Sequence, residues 1–317
     1  MFSKATPVFY TFAKSGRYMA VFHRFPSFMC IGAQKAGTTS LQDALVQHPQ
    51  VFLPKVKETH FFVREDRFSL GFEDYQQRYF GEASTNQIIG EIDPEYLFFP
   101  IAAPRIKQYL GENLKFIIIL REPVSRAFSH YQMSQRRGLE TLDFKTAILQ
   151  EPERTLTDTG FRHFSYISRS QYLKQIKAFQ AHFPNAPFLF LLFEQDIQQS
   201  LNKTLAKITD FLGISSFSIQ EDIVSNPAST PRFAFLRNMI YDKQNPLRKL
   251  IGKLIPRKYK LQIAQTADSL NQKKLTHSIK IDTELKEHIF NQYFLAEIPE
   301  LEKLTNLNLS IWLPKNV

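Results

Sequence analysis

Cysteine is almost absent. Cys30 stands alone among 317 residues, so no internal disulfide can form and a disulfide scaffold is excluded. A single thiol fits a reducing compartment, and a cytoplasmic location is the expectation. The eight histidines contain no HxH or HxxxH pair, and with one cysteine a zinc site is not expected. Long apolar runs are missing too. The two strongest, FIIIL at 116–120 and FLFLLF at 188–193, are strand-sized, far short of the roughly 18 residues that span a bilayer. The start of the chain has no apolar stretch followed by a small-residue cleavage site, so no signal peptide is expected. No fixed-period repeat, low-complexity linker or GxSxG hydrolase elbow occurs.

What is present is a globular composition, 43% hydrophobic and 22% charged, rich in phenylalanine with 30 copies. Aromatic packing should therefore carry much of the core. The net charge of +10 is concentrated: residues 237–280 hold eleven Lys/Arg against two Asp/Glu. Such a stretch leaves nucleic acid, anionic lipid, an acidic substrate and a phosphorylated donor all open as partners.

Strands are expected at 27–32, 88–92, 115–121 and 187–194. Amphipathic helices are expected at 39–48, 102–110, 124–135, 170–182 and 201–212. Continuous apolar strands alternating with long helices predict an α/β fold with a central parallel sheet. From about Val224 the chain reads as almost entirely helical.

Three motifs carry chemistry. In IGAQKAGTTSL (31–41), Gly32 and Gly37 have the spacing of a phosphate loop between strand and helix, where backbone N–H groups face an anion. The lysine is displaced into the loop as Lys35, and Thr38 takes its usual place. The later apolar run at 116–120 ends in Arg121, not in the acidic residue that would hold Mg²⁺. A metal-free transfer from a nucleotide-like donor fits this better than ATP hydrolysis. In REPVSRAFSHY (121–131), Arg121 at a strand end and Ser129 two helical turns on can together hold a phosphate. In KETHFF (57–62), Glu58 and His60 are each candidates for a general base.

In their order and spacing, these motifs resemble the sulfotransferases that use 3′-phosphoadenosine 5′-phosphosulfate (PAPS), and the heparan-sulfate-type and bacterial branch in particular. The likeness continues through GEIDPEYLF (90–98), SRSQYLKQIKAFQAHFP (168–184), LLFEQD (191–196), FLGI (211–214) and LEKLTNLNLSIW (301–312), covering roughly 27–313. It implies a P-loop-like three-layer fold and a sulfuryl transfer that releases PAP. Lys35, Ala36, Gly37, Thr38, Thr39 and Ser40 would cradle the 5′-phosphosulfate, with Lys35 on the bridging oxygen. Arg121 and Ser129 would hold the 3′-phosphate, with help from Lys273 or Lys274. Glu58 would be the base, with His60 as the alternative. The heparan-sulfate enzymes carry an acceptor-side lysine where this chain has Ile92, so the acceptor is expected to differ.

The expected layout is an extension at 1–26 and a sulfotransferase domain at 27–317. The acceptor would be a hydroxyl, or an amine, of a glycan, glycolipid or small molecule. A P-loop kinase or NTPase is the rival enzyme reading. A nucleic-acid-binding protein is the rival outside enzymes, but no binding module supports it. In 245–260, Leu247, Leu250, Ile251, Leu254 and Ile255 form a helical stripe with Arg248, Lys249 and Lys253 beside it. The readings open for it are packing on the domain, lining an acceptor cleft, and peripheral contact with an anionic membrane.

Overall fold

The computed structural model describes residues 25–219 and 281–314, together with the backbone of four short strands outside them. Those four form antiparallel pairs: β1 (Phe9–Phe12) with β2 (Tyr18–Val21), and β8 (Ser229–Pro231) with β9 (Gln272–Lys274). The strand at Ser229–Pro231 departs from the helical expectation for this region. Pro227 precedes it and Pro231 is its last residue, and each disfavours a continuous helix.

The centre is a five-stranded, all-parallel sheet. Its strands are β3 (Phe28–Gly32), β4 (Val51–Phe52), β5 (Ile88–Ile92), β6 (Lys115–Leu120) and β7 (Phe188–Leu192), in the order β4-β5-β3-β6-β7. All of β3 and the run 116–120 are buried, as strands covered on both faces must be. Cys30 lies inside β3, where burial pushes its thiol up to about 12. From β3 the chain moves outward to β4. After β5 it crosses to β6 and continues to β7. The connections leaving β3 and β6 thus run in opposite directions, which opens the crevice where parallel sheets take ligands.

Phenylalanine fastens the outer layer to the sheet. Phe116 of β6 meets Phe179 at 5.2 Å, Phe183 at 4.8 Å and Phe188 at 5.1 Å, joining the helix Tyr172–His182 to two strands. Each such ring contributes about 1.5–3 kcal/mol by leaving water. The C-terminal helices Thr283–Tyr293 and Ile298–Thr305 belong to the same core, burying Ile289, Phe290, Phe294, Ile298, Leu301, Leu309 and Trp312. Lys286 Nζ bridges to Glu122 Oε2 at 2.8 Å, and Trp312 Nε1 donates to Glu194 Oε2 at 3.2 Å.

Several ends differ from the periodicity. The helix after β3 spans Thr38–Leu45 and stops short of His48. The buried His48 ring instead lies 3.0 Å from the Ser215 carbonyl and accepts from the Gln50 N–H at 3.0 Å. β7 ends at Leu192 because Asp196 Oδ2 accepts the Leu192 N–H at 2.7 Å and turns the chain. The helix after β6 spans Pro123–Arg136, and Glu122 caps it by accepting from Val124 and Ser125, each at 2.9 Å.

Candidate active site

The loop between β3 and the helix Thr38–Leu45 is fixed from three sides. Ala33 N–H donates to Ile119 O of β6 at 2.8 Å, and Arg121 Nη1 donates to Lys35 O at 2.9 Å. Gly37 takes φ 86°. A Cβ there would lie 2.9 Å from both Ile197 Cγ2 and Phe193 Cδ2, so only glycine fits. Gly37 supplies no side chain to cap the helix, and the first-turn N–H groups remain for an incoming anion. Lys35 itself has φ 73°, a costly backbone conformation that is kept where the surrounding structure imposes it.

Burial, with Arg136, Arg137 and Arg121 close by, lowers the Lys35 ammonium to about 7; Glu58 opposes them only in part. This side of the site is therefore crowded with positive charge and suited to an anion. Arg121 also lies over the Phe193 ring at 4.6 Å, and its carbonyl accepts from Tyr172 Oη at 2.8 Å. Behind it, Arg126, His130 and Arg169 are buried, and each leaves one side-chain nitrogen without a protein partner.

The KETHFF motif folds as a turn with alternating left-handed residues, Glu58 at φ 61° and His60 at φ 51°. Its downstream half is anchored by aromatics: Phe61 stacks on Tyr75 at 4.4 Å, and Phe62 meets Tyr96 edge-on at 5.6 Å. Side chains from the end of β5 hold the rest. Asp93 Oδ2 accepts the His60 backbone N–H at 2.6 Å and lies 3.0 Å from its Nδ1. Glu95 Oε2 is 3.6 Å from that nitrogen, and Glu58 Oε2 is 3.7 Å from Nε2. Burial disfavours the imidazolium, but Asp93, Glu95 and Glu58 together hold His60 above its ordinary value. Burial likewise works against the Glu58 carboxylate, yet Lys57 and His60 outweigh it and hold Glu58 below the usual range. Glu58 is thus held in its ionised form.

Thr59, between them, donates to the buried Glu91, which also accepts from Tyr75 and, at 2.8 Å, from Tyr96. Burial and Asp93 push Glu91 up to about 7.

The two halves meet at Lys57. Its Nζ lies 2.8 Å from Thr39 Oγ1, 3.4 Å from Thr38 Oγ1 and 3.1 Å from Glu58 Oε1. The structure therefore brings together Lys35, Thr38, Thr39, Glu58, His60 and Arg121. Ala36 is buried and Ser40 half-buried beside them. Ser129 is half-buried on the helix that Arg121 precedes. Lys273 and Lys274 lie in β9, with side chains outside the described residues, and so does all of 245–260. Sequence reasoning gave no role to Lys57, Asp93 or Glu95. All three stand inside the quoted motifs KETHFF and GEIDPEYLF, but spacing along the chain does not reveal that β5 backs the turn. Ile92 is buried in the sheet beside Cys30.

A family model described as the sulfotransferase domain matches residues 25–244. The chain belongs to this family. Its members are PAPS-dependent transferases. Among curated relatives, the membrane-associated sulfotransferase kil1 of Dictyostelium discoideum is 31% identical over 48% of this chain and 33% of its own length. The heparan sulfate glucosamine 3-O-sulfotransferase 3B1 of Mus musculus is 29% identical over 60% of this chain and 47% of its own. The chain thus matches less than half the length of either. Among solved structures, a sulfotransferase from Alicyclobacillus acidocaldarius superposes with a TM-score of 0.64 at 24% identity. It covers 91% of this chain and 99% of its own, and so has the same fold. Among the described residues of this sulfotransferase, no helix is long and apolar enough to cross a membrane. No group of three or more His, Cys, Asp or Glu among them is placed to hold a metal ion.

Proposed function

We propose that this sulfotransferase moves a sulfuryl group from PAPS to a hydroxyl of a glycan or glycolipid and releases PAP. The observation that carries this reading is the meeting of an anion loop and an ionised carboxylate across one ammonium, that of Lys57. In the proposed step the acceptor oxygen attacks sulfur, and the bond from sulfur to the bridging oxygen breaks. The electron pair stays on that oxygen as PAP leaves. Glu58 takes the acceptor proton. Lys35 and the loop N–H groups stabilise the charge that grows on the leaving oxygen; one preorganised donor of this kind is worth about 3–4 kcal/mol. Arg121 and Ser129 hold the 3′-phosphate, with Lys273 or Lys274 assisting. The name of the mouse relative supports a glycan acceptor.

The test is incubation of the 317-residue chain with labelled PAPS and a panel of glycans, glycolipids and small hydroxylated acceptors. Label on a glycan or glycolipid is the expected result. Label confined to small metabolites would overturn the acceptor reading. No transfer together with no thermal stabilisation by PAP would overturn the donor reading.

We also propose a cytoplasmic location, which the single cysteine supports, and peripheral membrane contact through 245–260, which the stripe in the sequence and the name of the Dictyostelium relative support. Binding to anionic but not neutral vesicles, lost in high salt, is expected; no binding to anionic vesicles at low salt would remove it.

A further inference from the structure

Lys57 has no part in the transfer as set out above, yet its ammonium occupies the middle of the site. An ammonium has three N–H donors. Three oxygens take them: Thr39 Oγ1 at 2.8 Å, Thr38 Oγ1 at 3.4 Å and Glu58 Oε1 at 3.1 Å. Two belong to the first turn after the donor loop, and the third belongs to the base. The Lys57 side chain is only 20% exposed, so this is no freely hydrated surface pair, which would contribute little.

The arrangement has two consequences. First, the ammonium orients Glu58, whose other charged neighbours are His60 at 3.7 Å, Glu95, Lys35 and Arg67, whose Nη1 donates to the Glu58 carbonyl at 3.3 Å. A base clamped by a cation is also a weaker base. Second, the same ammonium leans on the hydroxyls at which the donor's phosphate oxygens arrive. Phosphate oxygens accept from an ammonium more strongly than neutral hydroxyls do. A bound donor therefore competes with Glu58 for Lys57.

We infer that Lys57 is a positioning residue that couples the two halves of the site: it holds Glu58 while the donor loop is empty and passes to the donor's phosphate oxygens when PAPS binds, freeing Glu58 for the acceptor proton. This rests on the reading of Glu58 as the base. It gives the order of events a physical cause, because the acceptor-side carboxylate becomes fully basic only once a donor is present.

The test follows the Glu58 carboxyl itself by carbon NMR in protein labelled on glutamate side chains. The resonance is assigned by its loss in Glu58→Gln and titrated with and without PAP. In the wild type, PAP should move the Glu58 midpoint upward. In Lys57→Met the PAP-free midpoint should already lie higher, and PAP should move it less. The Kd for PAP should rise about tenfold, the size of one charge-assisted contact. Lys57→Gln keeps a donor toward Thr39 without the charge, and it should behave the same way if the methionine variant does not fold. An unchanged PAP-free midpoint, or an equal PAP-induced shift in wild type and variant, would overturn the inference. The reading of Glu58 as base fails separately, if Glu58→Gln still transfers sulfate.

Discussion

The donor half and the acceptor half of the site are built in different ways. The donor loop is fixed by backbone. Ala33 is tied to Ile119, Gly37 fits a space closed to any Cβ, and Arg121 reaches the Lys35 carbonyl. The acceptor turn is fixed by side chains. Asp93 holds His60, Thr59 reaches Glu91, and Phe61 and Phe62 are sunk among rings. Their charges differ as well. Lys35 is crowded by arginines, whereas the turn is backed by Glu91, Asp93 and Glu95. A donor carrying several negative charges needs a rigid cationic frame. A base needs a carboxylate whose proton affinity can be set by neighbours.

The sharpest way to break this comparison is Glu58→Gln. The amide keeps the shape but takes no proton. The expected outcome is a fall in kcat of about 10²–10⁴-fold, with PAP bound at least as tightly by calorimetry. If His60→Ala is dead and Glu58→Gln active, the base lies two residues further on.

Next is Lys35→Met, with a loss of about 10²–10³ in kcat. Here the two roles of the lysine separate. Its folded value of about 7 lies below the ordinary lysine value, so the unfolded chain binds more protons between about 7 and 10.5. Stability of the donor-free protein therefore rises with pH across that window, and the charged lysine costs stability below it. The methionine variant should show a higher melting temperature at pH 7 without donor, and a flatter dependence of melting temperature on pH from 7 upward. A melting temperature lowered at pH 7 would mean that burial and the nearby arginines do not disfavour the Lys35 charge.

The smallest effect sharpens the donor half alone. Arg121→Ala and Ser129→Ala should weaken PAP by about tenfold or more while barely changing adenosine 5′-phosphosulfate, which lacks the 3′-phosphate. Equal losses for both nucleotides would take these residues off the 3′-phosphate.

The anion loop was legible because its signal is local. The glycine spacing and the displaced Lys35 lie in one short stretch, whereas Arg121 stands 86 residues from Lys35 and was read separately, from its place at a strand end. The boundaries of the long strands and helices followed from periodicity to within a few residues, apart from His48, whose ring serves a distant carbonyl. The acceptor half was legible only in outline. Glu58 and His60 could be named, but their partners come from β5 through sheet pairing, more than 30 residues away. No local pattern encodes the register that brings Asp93 under His60. The two-residue strand β4 is too short for any alternation to mark it.

The C-terminal helices also bear on where this protein can be cut. The family match ends at residue 244, but the fold does not. Ile289, Phe290, Phe294, Ile298, Leu301, Leu309 and Trp312 pack into the core of the same sheet, and Lys286 and Trp312 hold the acids that brace the start of the helix bearing Ser129. Seven buried apolar side chains contribute on the order of 10 kcal/mol, as much as the whole net stability of a typical domain. A chain truncated at the family boundary would keep all three motifs and the entire five-stranded sheet, yet lose the free energy that keeps them assembled.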